Sequence, residues 1–172
     1  EKVQVGIIGC GNINPAYVKG CRAFEILDVV ACADIDLSRA TARAQEFQIP
    51  RACTVQELLD DPDIRIVVNL TIPKAHTEVN LAAIDAGKNA HCEKPLAVTR
   101  ADGLKTVQAA RARGVLLGGA PDTFLGGGLQ TCRKLIDDGW IGEPVAATAF
   151  MMCHGHESWH PDPEFYYQEG GG

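Results

Sequence analysis

Apolar stretches alternate with amphipathic, capped stretches along the first two thirds of the chain. The apolar stretches predict strands at Val3 to Ile8, Leu27 to Ala33, Ile64 to Leu70, Asn89 to Cys92 and Val115 to Gly118. The stretch at 64–70 is nearly all apolar, as in a strand that is buried on both faces. Strands that alternate with helices predict a parallel sheet with helices on both sides. The predicted fold class is therefore α/β, a doubly wound parallel sheet of the Rossmann type.

Capping signals place helices between these strands. Asn14 followed by Pro15 predicts the start of a helix that runs to about Phe24. Further helices are predicted from Ser38 as a cap to about Phe47, from a capping box of Thr54 and Glu57 to about Leu59, from about Ala75 to Ala86 before Gly87, and from Thr99 as a cap to Arg113 before Gly114.

The pattern changes near residue 120. Phe124 to Asp138 predicts a helix ended by Gly139, Pro144 to Met152 alternates as a strand does, and Cys153 to Gly172 predicts a loop. We interpret residues 1–120 as a Rossmann domain and residues 121–172 as the truncated start of a second α/β domain. A chain of 172 residues that ends in three glycines is therefore expected to be a fragment.

A glycine loop, Gly9-Cys10-Gly11-Asn12-Ile13, follows the first predicted strand. Gly9 permits a tight turn, and Gly11 lets the backbone approach a pyrophosphate at the start of the next helix. The third glycine of the dinucleotide fingerprint is missing, because Asn14 stands there. We predict that Gly9, Gly11, Asn12 and Ile13 bind the cofactor.

Asp34 ends the second predicted strand, about 20 positions after the glycine loop, where an acidic residue accepts hydrogen bonds from the adenosine ribose. The same carboxylate repels a 2′-phosphate, and Ile35 and Asp36 follow it in place of a cation. The predicted cofactor is therefore NAD and not NADP. Asp36 is the alternative ribose ligand, but its position before Leu37 and Ser38 favours a role in the turn.

Two more motifs follow later strands: Thr71-Ile72-Pro73 with His76, and Glu93-Lys94-Pro95. An ammonium at the edge of the sheet can stabilise the alkoxide that develops as an alcohol loses a hydride. Together with the glycine loop, and in this order, the motifs resemble the glucose–fructose oxidoreductase / inositol dehydrogenase family (Gfo/Idh/MocA). The resemblance covers essentially the whole chain.

The resemblance implies an NAD-dependent oxidoreductase that acts on a secondary alcohol of a sugar or polyol. It implies that Lys94 is catalytic, that Thr71, Pro73 and His76 contact the nicotinamide half of the cofactor, and that Glu93 orients the lysine or contacts the ribose. The family's acid/base Asp and His lie in a second domain, so we expect them beyond Gly172 and expect the chain alone to be inactive. Family members associate through that domain, which implies a homo-oligomer.

Two other classes of protein remain open from the residues. A non-catalytic dinucleotide-binding sensor or scaffold would keep the fold, although an intact Glu93-Lys94-Pro95 speaks against it. A methyltransferase has a similar glycine loop, but it does not need a lysine after the strand at Asn89 to Cys92.

Composition narrows the possible partners and location. A net charge of −6 without a basic cluster argues against nucleic acid, and no apolar stretch approaches the roughly 20 residues of a membrane span. The seven cysteines lack a Cys-x-x-Cys spacing, which favours buried thiols in a reducing cytoplasm, and no signal peptide is expected. His154, His156, His160 and Glu157 have spacing that could suit a metal, but nothing else completes such a site, and no metal is expected.

Overall fold

A computed structural model of the chain describes residues 2–168 and residue 170. The six strands are β1 Val3–Ile8, β2 Leu27–Ala33, β3 Arg51–Cys53, β4 Ile64–Asn69, β5 Asn89–Cys92 and β6 Leu117–Gly119. They form one parallel sheet in the order β3-β2-β1-β4-β5-β6. This is the strand order of a doubly wound dinucleotide-binding fold, so the predicted fold class is confirmed.

Six α-helices accompany the strands in the part of the chain that the structure describes. They are α1 Asn14–Arg22, α2 Leu37–Phe47, α3 Val55–Asp60, α4 Pro73–Asp85, α5 Arg100–Arg113 and α6 Gly127–Asp137. Short 3₁₀ turns occupy Thr123–Leu125 and Pro163–Tyr167. The predicted loop after Cys153 therefore contains one turn, and its residues 169, 171 and 172 lie outside the described residues.

The sheet buries apolar side chains on both of its faces. On one face, Val5 and Ile7 of β1 pack with Val18 of α1 and Ala40 of α2. On the other face, Ile8, Ile64 and Val67 pack with Leu58 of α3 and Ala83 of α4. Successive residues of a strand point to opposite faces, so the nearly continuous apolar stretches of β1 and β4 supply both cores.

The predicted helix caps are confirmed for α3 and α5, whereas at α1 the cap is Ile13 and the predicted cap Asn14 is the first helical residue. Thr54 and Glu57 form the capping box, Thr99 accepts a hydrogen bond from the amide of Asp102, and Gly114 has a left-handed φ of 73°. The prediction for α2 is wrong by two residues: the cap is Asp36 and not Ser38, and the Asp36 carboxylate accepts from the amide of Ser38 at 2.9 Å. Because the Asp36 carboxylate accepts from an amide of the first turn, the helix begins earlier than a cap at Ser38 would predict.

Replacing Thr54 with alanine is expected to lower the free energy of unfolding by about 1 kcal/mol, because the Glu57 amide loses its acceptor. Urea denaturation would measure this. The matched control is Thr41→Ala on the exposed face of α2, where the hydroxyl donates to the Leu37 carbonyl and the free energy of unfolding should change by no more than about 0.5 kcal/mol. Equal losses for the two variants would contradict the capping assignment.

The same capping box should show a pH dependence of definite sign. Hydrogen bonds from the Thr54 amide and hydroxyl hold the pKa of Glu57 below its usual value. A depressed carboxyl pKa stabilises the fold above the unfolded pKa and ceases to do so as the pH falls through the folded one. The stability difference between the wild type and Thr54→Ala is therefore expected to shrink in acid.

The strands differ from the prediction in three places. The short strand β3, of three residues, was not predicted. β6 begins at Leu117 and not at Val115, because the amide of Val115 still closes the end of α5 and that of Leu116 donates to the Asn89 side chain. The strand predicted at 144–152 is absent: the segment has no regular structure, and Val145 and Met151 are almost fully exposed. A strand needs ladder partners, and the described residues supply none there.

The chain divides into two compact units, the first ending at Ala120 and the second beginning at Pro121. The first contains the whole sheet and α1–α5. The second contains α6 and both 3₁₀ turns, and Gly126, in an extended conformation, separates the first turn from α6. Among the described residues, no helix is both long enough and apolar enough to cross a membrane.

Candidate active site

Four loops meet at one edge of the sheet because the strands are parallel and in register. Ala33, Ile8, Asn69 and Cys92 form a row across β2, β1, β4 and β5. The residues that follow this row are Asp34, Gly9, Leu70 and Glu93. The strand order reverses between β1 and β4, which is where open parallel sheets bind ligands. All three motifs seen in the sequence therefore lie on one rim.

The tight turn after β1 requires glycine at position 9. Gly9 has a φ of 105°, and its amide donates to the carbonyl of Ala33 at 2.8 Å. A Cβ atom there would lie 2.6 Å from the backbone carbonyl carbon of Leu70 in the neighbouring strand's loop. This position has both a left-handed backbone and no room for a side chain.

Asn14 closes the loop where the fingerprint's third glycine is missing. Its side chain is fully buried, and Nδ2 donates to the Gly9 carbonyl at 2.9 Å. Its Oδ1 is buried without a hydrogen-bond partner among the described residues. The departure from the fingerprint therefore ties α1 to the turn through a polar contact.

The start of α1 offers free space and free donors. A Cβ atom at Gly11 would meet nothing within 4 Å. Among residues 2–168 and 170, no backbone acceptor receives the amides of Gly11, Asn12 or Ile13. Free amides at a helix N-terminus bind phosphate groups, so these residues fit the pyrophosphate of a dinucleotide.

Arg43 supports the loop from α2, which was not predicted. Its guanidinium donates to the carbonyl of Gly11 at 3.1 Å and lies 2.6 Å from Glu46. Arg43 lies 32 positions after Gly11 in the sequence. The contact could therefore not be predicted from a local motif, because it depends on the packing of α2 beside the loop.

Asp34 and Asp36 have different roles. The half-buried Asp34 carboxylate accepts from the Cys10 amide at 2.7 Å and from the Asp36 amide at 3.0 Å. Each oxygen keeps a further lone pair, so a ribose hydroxyl can still bind. Asp36 caps α2, and hydrogen bonds from Ser38 hold the pKa of Asp36 below its usual value. The interpretation of Asp36 as a turn residue is confirmed.

A buried polar network supports the loop after β4. Asn69 Oδ1 accepts from the amide and hydroxyl of Thr71, while its Nδ2 donates to Asn80 Oδ1 at 2.9 Å. Asn69 Nδ2 also donates to the backbone carbonyl of His76 at 3.1 Å. Because Asn69 and Asn80 are fully buried, each hydrogen bond restricts the loop strongly.

His76 lies beneath the rim and not on its surface. The side chain has no exposed area, and its Nδ1 and Nε2 lie 2.6 Å and 2.9 Å from the carbonyl oxygens of Pro95 and Thr71. Both ring nitrogens are thus occupied by backbone. The ring therefore lies between two loops of the rim, while its contact with the cofactor stays a prediction.

Glu93 is fixed from two directions, and Lys94 is exposed. The Glu93 carboxylate accepts from the Lys94 amide at 2.7 Å and from the Tyr17 hydroxyl at 3.0 Å. None of the ion pairs within the described residues involves Lys94, and the Lys94–Pro95 peptide bond is cis. The ammonium is therefore available to a ligand, while the backbone that carries it is held.

Four of the seven cysteines are packing residues of the core. All seven are free thiols, and Cys10, Cys32, Cys53 and Cys92 are buried. A hydrogen bond with Cys32, together with burial, raises the pKa of the Cys10 thiol, and burial raises the pKa of Cys92 to about 11. The Cys10 and Cys92 thiols therefore stay protonated and behave as small apolar groups.

The histidines after α6 pack against aromatic rings. His156 stacks on Tyr166 with ring centroids 3.9 Å apart, and His160 lies edge-on to the same ring at 4.9 Å. In the part of the chain that the structure describes, no three His, Cys, Asp or Glu side chains are placed to share a metal ion.

Four features together define a dinucleotide-binding Rossmann protein. They are the strand order, the glycine loop after β1, Asp34 directly after β2 and Lys94 on the rim. The model of the Gfo/Idh/MocA family, described as an oxidoreductase family with an NAD-binding Rossmann fold, matches residues 3–119. The chain belongs to this family.

Individual relatives agree with this assignment. The chain is 38% identical over 150 residues to 1,5-anhydro-D-fructose reductase of Ensifer adhaerens, covering 87% of this chain and 45% of the relative. It is 31% identical over 169 residues to inositol 2-dehydrogenase of Salmonella paratyphi B, covering 95% and 48%. The chain thus spans about half the length of these relatives.

Solved structures share the fold. GenD2 from gentamicin A biosynthesis, crystallised with NAD, superimposes with a TM-score of 0.76 at 26% identity, covering 80% of this chain and 40% of that one. Similar solved structures include complexes with NADP as well.

Proposed function

We propose that the protein is an NAD-dependent oxidoreductase that transfers a hydride between the nicotinamide and a secondary alcohol carbon of a sugar or polyol. The observation that carries this proposal is the exposed Lys94 on the same rim as the open glycine loop and the Asp34 carboxylate. The names of the relatives, a sugar reductase and an inositol dehydrogenase, support the substrate class.

In this proposal, different residues of the rim bind different parts of the cofactor. The amides of Gly11, Asn12 and Ile13 would hold the pyrophosphate, and Asp34 would hold the adenosine ribose. Thr71 and Pro73 would contact the nicotinamide half, and Glu93 the neighbouring ribose. Bound NAD would supply the hydride acceptor, since the protein itself has no group for this chemistry.

Lys94 acts on the substrate oxygen. When a general base takes the hydroxyl proton, the ammonium hydrogen-bonds the alkoxide and stabilises its negative charge until the hydride leaves carbon and the carbonyl forms. In the reverse direction the same ammonium polarises the carbonyl. Because this charge is largest in the transition state, the lysine contributes to the rate more than to ground-state binding.

We also propose that the protein works in the cytoplasm as a homo-oligomer. The free, mostly buried cysteines of the first unit support a reducing compartment. The resemblance to a family whose members associate supports the oligomer.

The cofactor assignment predicts that the chain binds NADH at least about tenfold more tightly than NADPH, because the Asp34 carboxylate repels a 2′-phosphate. Fluorescence titration with both cofactors would measure this. Asp34→Asn keeps one side-chain oxygen for the Cys10 amide and removes the negative charge. The ratio of the affinities for NADH and NADPH should therefore become smaller.

The matched control is Asp36→Asn. It removes a charge two residues away and keeps a good helix cap, so the ratio of the two affinities should not change. Tighter binding of NADPH by the wild type, or equal effects of the two variants, would contradict the role given to Asp34.

A further inference from the structure

We propose that Tyr17 and His76 are positioning residues that hold the backbone of Lys94 from its two sides. Tyr17 acts on the residue before the lysine, and His76 acts on the residue after it. The proposal rests on the catalytic role given to Lys94 above, and it adds residues that lie outside the Glu-Lys-Pro motif.

The contact before the lysine comes from α1. The Tyr17 hydroxyl donates to Glu93 Oε2 at 3.0 Å, while Oε1 of the same carboxylate accepts from the Lys94 amide at 2.7 Å. A hydrogen bond to a carboxylate is stronger than one between neutral groups. The tyrosine therefore fixes a carboxylate that in turn fixes the lysine's own peptide group.

The contact after the lysine comes from α4. His76 Nδ1 lies 2.6 Å from the Pro95 carbonyl, and Nε2 lies 2.9 Å from the Thr71 carbonyl. A neutral imidazole carries one N–H, so the ring donates to one of these two carbonyl oxygens and packs against the other. The buried ring thus lies between the loop after β5 and the loop after β4. Asn69 accepts from Thr71 and donates to the His76 carbonyl, which anchors this junction to β4.

These two contacts connect the position of Lys94 to the cofactor loops. Tyr17 lies on the helix whose first turn presents free amides to the pyrophosphate. His76 lies on the helix that follows the loop assigned to the nicotinamide. Lys94 has an exposed, long side chain, so its reach toward the substrate oxygen depends on a fixed backbone. A misplacement of about 1 Å can cost about 100-fold in rate.

The test uses three variants and a control in the protein expressed from its full coding sequence. Tyr17→Phe removes one hydroxyl and keeps the ring that lies 6.3 Å from the His91 ring. His76→Leu removes both ring contacts, and His76→Gln keeps one N–H donor. Thr106→Val on α5 is the matched control, since it removes a buried hydroxyl that donates to the Asp102 carbonyl away from the rim.

We expect Tyr17→Phe to lower kcat by about tenfold and His76→Leu by about 10- to 100-fold. KM and the Kd for NADH should stay within about threefold, and His76→Gln should recover part of the rate. Amide hydrogen exchange at Lys94 should accelerate by about tenfold in Tyr17→Phe. Thr106→Val should change none of these quantities at the rim.

Two results would overturn the proposal. The first is unchanged exchange at Lys94 in both Tyr17→Phe and His76→Leu, which would show that the backbone is held by other contacts. The second is faster exchange with unchanged kcat while Lys94→Ala lowers kcat, which would show that positioning does not limit the rate. If Lys94→Ala itself leaves kcat unchanged, the catalytic assignment fails, and the exchange measurement still decides whether the two residues hold this backbone.

Discussion

Replacing Lys94 with alanine is expected to lower kcat by about 100- to 1,000-fold, the usual cost of losing one donor to a developing oxyanion. The Kd for NADH should stay within about threefold, because the ammonium acts on the substrate oxygen. The protein from the full coding sequence would be assayed with NAD against a panel of sugars and polyols, and the chain of 172 residues would be titrated with NADH.

The controls for this prediction separate charge from geometry. Lys105→Ala removes an exposed ammonium from α5, which follows the same loop, and should leave kcat unchanged. Lys94→Arg keeps the charge but not the shape of the donor, so it should restore only part of the rate. If kcat of Lys94→Ala stays within about threefold of wild type, a difference below about 1 kcal/mol, Lys94 is not catalytic.

The fold could be predicted from the sequence because its signals are local. Each signal lies within a few consecutive residues. Examples are the apolar stretches of β1 and β4 and the caps at Thr54, Thr99 and Gly114. β3 was missed because three residues are too few for a pattern. The segment at 144–152 has the alternation of a strand, but a strand forms only with a partner, which alternation alone does not supply.

The candidate site could be predicted only in part. Gly9 and Asp34 were found because the distance between a glycine loop and the next strand end is set by one βαβ unit. Tyr17 was missed, since it meets Glu93 across 76 positions of sequence. Only the row of strand ends across the sheet brings α1 to that loop.

His76 makes contacts that its residue type alone does not predict. The family resemblance implies a contact with the cofactor. Complete burial and two carbonyl neighbours show a structural contact below the loop. Arg43 is similar, because its distance from Gly11 depends on how α2 packs, which no motif encodes.

Replacing Gly9 with alanine is expected to lower the free energy of unfolding by about 3 kcal/mol or more. Its φ of 105° is unfavourable for any other residue, and the new methyl group would lie 2.6 Å from the Leu70 backbone, which cannot rotate away. Urea denaturation of the chain would measure the loss, with constant m-values as the check that the same structure unfolds.

Gly11→Ala is the matched partner of this variant, since it adds the same methyl group two residues later in the same loop. Nothing lies within 4 Å of that position, so stability should stay within about 0.5 kcal/mol of wild type. The methyl group would instead occupy the approach to the pyrophosphate, and affinity for NADH should fall by about tenfold or more. Wild-type stability of Gly9→Ala would contradict the turn geometry, whereas wild-type affinity of Gly11→Ala would show that the pyrophosphate binds elsewhere. The pair thus separates the glycine needed for folding from the glycine needed for the cofactor.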